Sequence, residues 1–217
     1  MILSDDLHQQ RTVYAVFTMT QRLRTWSEPL HLGNKPIGET IGDFWAWGFS
    51  DLLSNVIRGS FAEFIVASAL KIDMTYPRAV WQTYDLRYGD HKIEVKSSAY
   101  IQSWFQKNYS EISFGIAPTR EWSAETNQYA SEIKRHADVY VFCVLTCKDR
   151  EKVDPLNMNQ WEFYVLHTNI LNAHCPDKKT ILLSTLEKVQ AYKADFSQLA
   201  KVVDLALREK ETVEYGS

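Results

Sequence analysis

The nine residues Asp138–Thr146, DVYVFCVLT, constrain the fold more than any other segment. The run is apolar without alternation. A strand half exposed to water alternates polar and apolar side chains, whereas a strand covered on both faces does not. The segment therefore predicts a central strand with material packed above and below it. A chain of 217 residues, 45% of them apolar, is long enough to supply those layers. A second run of the same kind, Trp161–His167, follows a polar, proline-containing loop at 148–160.

The remaining elements are read around these two strands. Val13–Phe17 opens as a helix or a short strand, and Gly33, Pro36 and Gly38 mark a loop. From Asp43 the pattern is helical, with Phe49, Leu52, Leu53, Val56 and Ile57 at i, i+3, i+4 spacing. Arg58-Gly59-Ser60 predicts an interruption, and a second helix follows over about 60–70 with Phe61, Phe64, Ile65 and Ser68 inward. Val80–Tyr88 and His91–Ser98 flank Gly89-Asp90, a two-residue hairpin turn. Tyr109–Ala117 predicts a strand and Ser123–His136 a helix. A short strand at Ile181–Leu183 leads into Ser184-Thr185-Leu186-Glu187, a capping box, and a last helix covers about 197–209. This order predicts an α/β (α+β) sandwich, a mixed sheet flanked by helices. It reads as a single domain over 1–217, with a core at about 43–146, an N-terminal segment 1–42 and C-terminal strands and helices at 160–210.

Charge and motif content exclude several classes. Twenty-four Lys and Arg against 27 Asp and Glu give a net charge of −3, so any nucleic-acid contact must concentrate positive charge locally. No stretch approaches the ~20 apolar residues of a bilayer span, and the acidic start does not resemble a signal peptide. Cys143, Cys147 and Cys175 include no CxxC pair and predict a reducing, cytoplasmic setting. With His167 and His174 they match no zinc-finger spacing and read as small hydrophobes. No glycine-rich phosphate loop is present, so no nucleotide cofactor is expected. Trp26, Trp45, Trp47, Trp81 and Trp104 read as core or interface residues.

The chemistry concentrates in the hairpin. Turning at Gly89-Asp90, opposed residue numbers add to 179, so Tyr88, Leu86 and Tyr84 face His91, Ile93 and Val95 on one apolar side. On the other side Arg87 faces Lys92, Asp85 faces Glu94 and Thr83 faces Lys96. Two carboxylates opposed across a ladder repel. A divalent cation relieves that repulsion, since Mg²⁺ takes one or two carboxylates with waters and phosphate. Lys96 could then orient a water or stabilise charge on a phosphorane-like transition state. A solvated face neutralised by Arg87 and Lys92 remains the competing reading. Glu63 sits on the preceding helix with small and apolar neighbours. Ser60-Phe-Ala-Glu63 also has the form of a capping box, which would make its role local.

A helix glutamate, then an aspartate, then Glu-x-Lys on the paired strand resembles the PD-(D/E)XK nuclease superfamily, with restriction endonucleases and Holliday-junction resolvases among its members. The matching positions are Glu63 in RGSFAEFIVASAL, Asp85 in TYDLRY, and Glu94 and Lys96 in IEVKSSA; Tyr84 stands where the superfamily's name has proline. The resemblance implies a restriction-endonuclease-like fold and Mg²⁺-dependent phosphodiester hydrolysis of DNA, with Mn²⁺ as a substitute. Asp85, Glu94 and Glu63 would be the metal ligands and Lys96 the residue assisting water. Ser98 and Gln102 would position substrate, and Arg87, Lys92, Lys107 and Arg120 would form a basic rim. Tyr100 and Trp104 stack on bases or pack the core. Two antiparallel DNA strands need two active sites, which a homodimer would supply, though the sequence itself does not show one. The rivals are a catalytically inactive nucleic-acid-binding or assembly module of the same fold, and a structural protein with an incidental charged hairpin.

Overall fold

A computed structural model of the chain describes residues 22–78, 82–123 and 126–213. Val13–Phe17 and Trp81 lie outside them. The chain gathers into two compact units, one holding residues 22–50 and 73–78, the other residues 51–72 and 82 onward.

In the first unit, strands β1 (Pro29–Leu32) and β2 (Lys35–Thr40) form a hairpin where a loop is predicted. Gly33 turns the chain at φ 59°, a conformation open to glycine, and Pro36 and Gly38 fall within β2. Helix α1 (Ile41–Phe49) starts with a reciprocal cap between Thr40 and Asp43. Trp26 lies over Gly42, where a Cβ would collide with the indole.

The second unit is built on a mixed sheet, as the sequence predicts, and the sheet has five strands. Its order is β11 (Tyr192–Ala194), β9 (Trp161–His167), β8 (Val139–Leu145), β4 (His91–Ala99) and β3 (Leu86–Tyr88). β4 and β8 run parallel, and the other neighbours are antiparallel. All seven residues of β8 are buried. One face carries helices α2 (Asn55–Ala69) and α5 (Leu199–Val213), whose Ala62, Ile65, Val66, Leu199 and Val203 pack with Ile93, Val95, Val139 and Val141. The other face buries Tyr140, Phe142 and Val144 beneath β5 (Ser113–Gly115), α3 (Thr168–His174), β10 (Thr180–Leu182) and α4 (Leu183–Lys188). Among the described residues no helix is long and apolar enough to cross a membrane.

Several local expectations fail. The helical break falls at 50–54, where Ser54 caps α2, and α2 continues through Arg58-Gly59-Ser60. Ser60 is therefore a helix-interior residue, and the Ser60–Glu63 capping box does not form. Phe64 is 55% exposed; α2 instead meets the sheet through Ala62, Ile65 and Val66. Ser184 lies inside α4, whose N-cap, Leu182, offers no side-chain bond. In place of the helix at 123–136 stands a ribbon, β6 (Thr119–Ser123) and β7 (Gln128–Lys134). Tyr129, Ala130 and Ile133 mimic helical spacing, but Asn127 takes φ 51° and pairs Trp122 with Tyr129, an aromatic pair that strands favour. Of the tryptophans read as core or interface residues, Trp26, Trp47 and Trp104 are exposed and so lie outside the core, which Trp161 fills.

The continuity of α2 has a measurable consequence. Gly59 is not at positive φ, and a Cβ there meets nothing within 4 Å. Gly59→Ala should stabilise the protein by about 0.5–1 kcal/mol in a denaturant titration, as at an unobstructed helix-interior glycine. A destabilised variant would restore the break at 58–60.

Candidate active site

The hairpin register holds where the strands pair: Leu86 with Ile93, Arg87 with Lys92, Tyr88 with His91. Beyond Leu86 the ladder changes character. Strand β3 ends, and Thr83, Tyr84 and Asp85 are bends rather than ladder residues. The expected pairings of Asp85, Tyr84 and Thr83 with Glu94, Val95 and Lys96 are replaced by two bonds from Asp85. Its N–H donates to the Ile93 carbonyl at 3.0 Å, and its Oδ2 accepts the Val95 N–H at 2.8 Å. The carboxylate thus takes the place of a strand partner and is held against the backbone next to Glu94.

Glu94 and Lys96 lie on the face of β4 opposite Ile93 and Val95, with Tyr140 and Phe142 as their parallel neighbours on β8. Lys96 Nζ donates to Glu94 Oε1 at 2.5 Å. Even so, the Glu94 carboxyl is held above the usual carboxylate range, first by burial and then by the charge of Asp85, with a smaller push from Glu63; Lys96 pulls the other way. Glu63, 7% exposed on α2, also acts with Asp85 on the Cys143 thiol, which burial foremost pushes up. Three acidic side chains from α2, the bend before β3, and β4 therefore act on one region. Among the described residues, however, no three His, Cys, Asp or Glu side chains are gathered closely enough to hold a metal ion by themselves.

Glu94 and Lys96 line a cleft of about 280 Å³ together with Thr83, Arg135, His136 and Tyr140. These four are absent from the sequence-derived set. Tyr140 is findable only from the parallel pairing of β4 and β8, and Arg135 and His136 were hidden by the helical reading of 123–136. Burial, then Glu94 and Asp85, pushes the Tyr140 hydroxyl pKa up, so it stays a neutral donor. Arg135 is buried and donates to Ile116 O at 2.7 Å, Asn172 Oδ1 at 2.6 Å, Cys175 O at 2.8 Å and Lys178 O at 3.1 Å. His136 Nε2 lies 2.9 Å from the Thr119 carbonyl. A carbonyl only accepts, so that nitrogen carries the hydrogen.

The other sequence-derived candidates are scattered. Ser98 is buried on β4. Gln102 is 5% exposed, accepting from Arg58 Nη1 at 3.0 Å and donating to Ala99 O at 2.8 Å. Arg87 reaches back to Gly89 O and Asp90 at the hairpin turn, and Lys92 lies 5.4 Å from the centre of the Tyr84 ring. Arg120 is on β6, and Lys107 belongs to a separate groove.

No curated protein and no solved structure matches the chain at a significant level. Residues 48–185 match the family described as bacteriophage T4 endonuclease IV, a span that runs from the end of α1 into α4 and includes Glu63, Asp85, Glu94, Lys96 and the whole cleft. The match covers well over half of the sequence, and the chain belongs to the bacteriophage T4 endonuclease IV family.

Proposed function

We propose that the protein is a DNA endonuclease of the PD-(D/E)XK type that hydrolyses phosphodiester bonds with a divalent cation held at Asp85 and Glu94, Glu63 adding its charge to the same region. The observation that carries the reading is the state of Glu94: Lys96 is paired with it, yet burial, Asp85 and Glu63 still disfavour its charged form. A cation removes that penalty. The donor set suits a hard ion, because it is all carboxylate, and Mg²⁺ needs only one or two protein carboxylates beside water and phosphate oxygens. When bound, Mg²⁺ or Mn²⁺ would supply Lewis-acid polarisation of the phosphate and a more acidic water.

The chain's own residues divide the remaining work. The Val95 N–H holds Asp85 in place, so its carboxylate costs no reorganisation. Lys96 brings a positive charge to the cleft and can steady an attacking water or the charge that develops on the phosphate oxygens. Tyr140 supplies a neutral hydroxyl on the same wall.

Asp85→Asn is the informative substitution, because Asn keeps an oxygen for the Val95 N–H while removing the charge. It should lower the rate of DNA nicking by about 10²-fold or more and abolish the rise in melting temperature on adding Mg²⁺. Lys96→Ala should lose cleavage to a similar extent but keep the Mg²⁺-induced rise. Supercoiled DNA incubated with each protein in Mg²⁺ or EDTA gives the first readout and thermal melting the second. Wild-type protein that binds DNA without cutting it in any divalent cation would return the chain to the inactive binding module.

The raised pKa of Glu94 fixes a sign. A carboxyl that holds its proton more tightly in the native state costs stability as pH rises from the ordinary glutamate value of about 4.3 through its own raised value, and costs nothing below that window. Metal-free Glu94→Gln should therefore melt above wild type at neutral pH, the gap closing as the solution is acidified, and Mg²⁺ should narrow it by stabilising wild type alone. A gap that is constant across pH would remove the electrostatic basis of the site.

A further inference from the structure

At the carboxyl ends of the two parallel strands the chain forms a second concavity. The segment 100–110 leaves the end of β4, and Lys148–Arg150 follow the end of β8; in open sheets ligands bind outside the carboxyl ends of parallel strands. A groove of about 920 Å³ lies there, lined by Ile101, Lys107, Tyr109, Lys148 and Arg150 among others. Its charge is positive on a protein of net charge −3. Among the described residues Lys107 and Lys148 form no ion pair, and the one carboxylate in the lining, Asp149, is paired with Lys152 at 2.8 Å. Lys148 Nζ stands 4.2 Å from the centre of the Tyr100 ring and 6.0 Å from that of Tyr109.

The groove wall is built rather than loose. Arg150 Nη2 donates to the carbonyls of Gln102 and Trp104 at 3.1 and 3.0 Å. Buried Gln102 is itself held by Arg58 and bonds to Ala99 O and Ser110 Oγ, while Gln106 accepts the Gln102 N–H at 2.7 Å. So braced, the segment leaves Trp104, Phe105 and Tyr109 exposed, Phe105 at 85%. Cations beside exposed aromatic faces fit a polyanion that carries planar rings. An acidic polypeptide would use the cations and leave the rings idle.

We infer that this groove is a second DNA-contact surface, separate from the cleft at Glu94 and Lys96, in which Lys107, Lys148 and Arg150 hold backbone phosphates and Tyr109 stacks on a base. The inference rests on DNA being the substrate. The test is fluorescence anisotropy with a labelled DNA oligonucleotide in EDTA, repeated across a salt series, with melting curves to verify folding. Lys107→Ala/Lys148→Ala should weaken binding about tenfold at low salt and reduce the slope of log K against log salt by about 2. Lys107→Arg/Lys148→Arg should keep both near wild type, and Tyr109→Ala should weaken binding with the slope unchanged. With Mg²⁺ and cleavable DNA, the double alanine variant should raise KM and leave kcat alone. Unchanged affinity and slope in the double variant, or competition by polyglutamate as effective as that by DNA, overturns the groove. Wild-type cleavage indifferent to these substitutions refutes the groove while sparing the endonuclease. Groove-dependent binding without cleavage in any divalent cation does the reverse.

Discussion

The structure depends on strand β8 being covered on both faces while it lies parallel to β4. Val139, Val141 and Cys143 belong to the core under α2 and α5, and Tyr140, Phe142 and Val144 to the core on the opposite side. Each large apolar side chain buried in this way is worth about 1.5–3 kcal/mol. The register of β4 against β8 is therefore strongly specified, because a slip by one residue would turn Ile93 and Val95 out of the helix-covered core and drive Glu94 and Lys96 into it. The place of Glu94 and Lys96 in their cleft is thus a by-product of core packing. Nothing in their own chemistry has to hold them there.

Legibility in the sequence followed the same logic. The runs at Asp138–Thr146 and Trp161–His167 announced buried strands because a doubly covered strand writes its environment into every side chain. The turn at Gly89-Asp90 and the alternation around it fixed a register that the structure keeps from Leu86 to Ile93. Readings based on a few local letters fared worse. The capping patterns at Ser60 and Ser184 fit the motif, but the helices start elsewhere, at Ser54 and Leu182. The ribbon at 119–134 has little burial to report, so its residues show no strand alternation to set against the helical spacing of Tyr129, Ala130 and Ile133. The same blindness hid Arg135 and His136, which enter the cleft where the ribbon returns to the sheet. Tyr140 was invisible for a different reason: its place beside Glu94 comes from pairing two strands about 45 residues apart, which no local pattern encodes.

The end of β3 is where the fold and the candidate chemistry meet. An edge strand that stops leaves a neighbour's N–H without a ladder partner, a loss that a buried backbone does not tolerate. Asp85 supplies the missing acceptor from its side chain. One residue thereby ends the strand, opens the flank of β4 and leaves an acidic group beside Glu94. A neutral side-chain acceptor such as a serine hydroxyl or an asparagine carbonyl would satisfy the Val95 N–H without adding charge, so the choice of a carboxylate is not explained by the hydrogen bond. Lys96 does not explain it either, since one ammonium engaged with Glu94 leaves the effect of Asp85 and Glu63 uncancelled. Local consistency between charge and burial is broken at this point of the sheet, next to the cleft. Such breaks concentrate where a protein trades stability for function. The divalent cation proposed for this site would offset the charge that Asp85 adds beside Glu94.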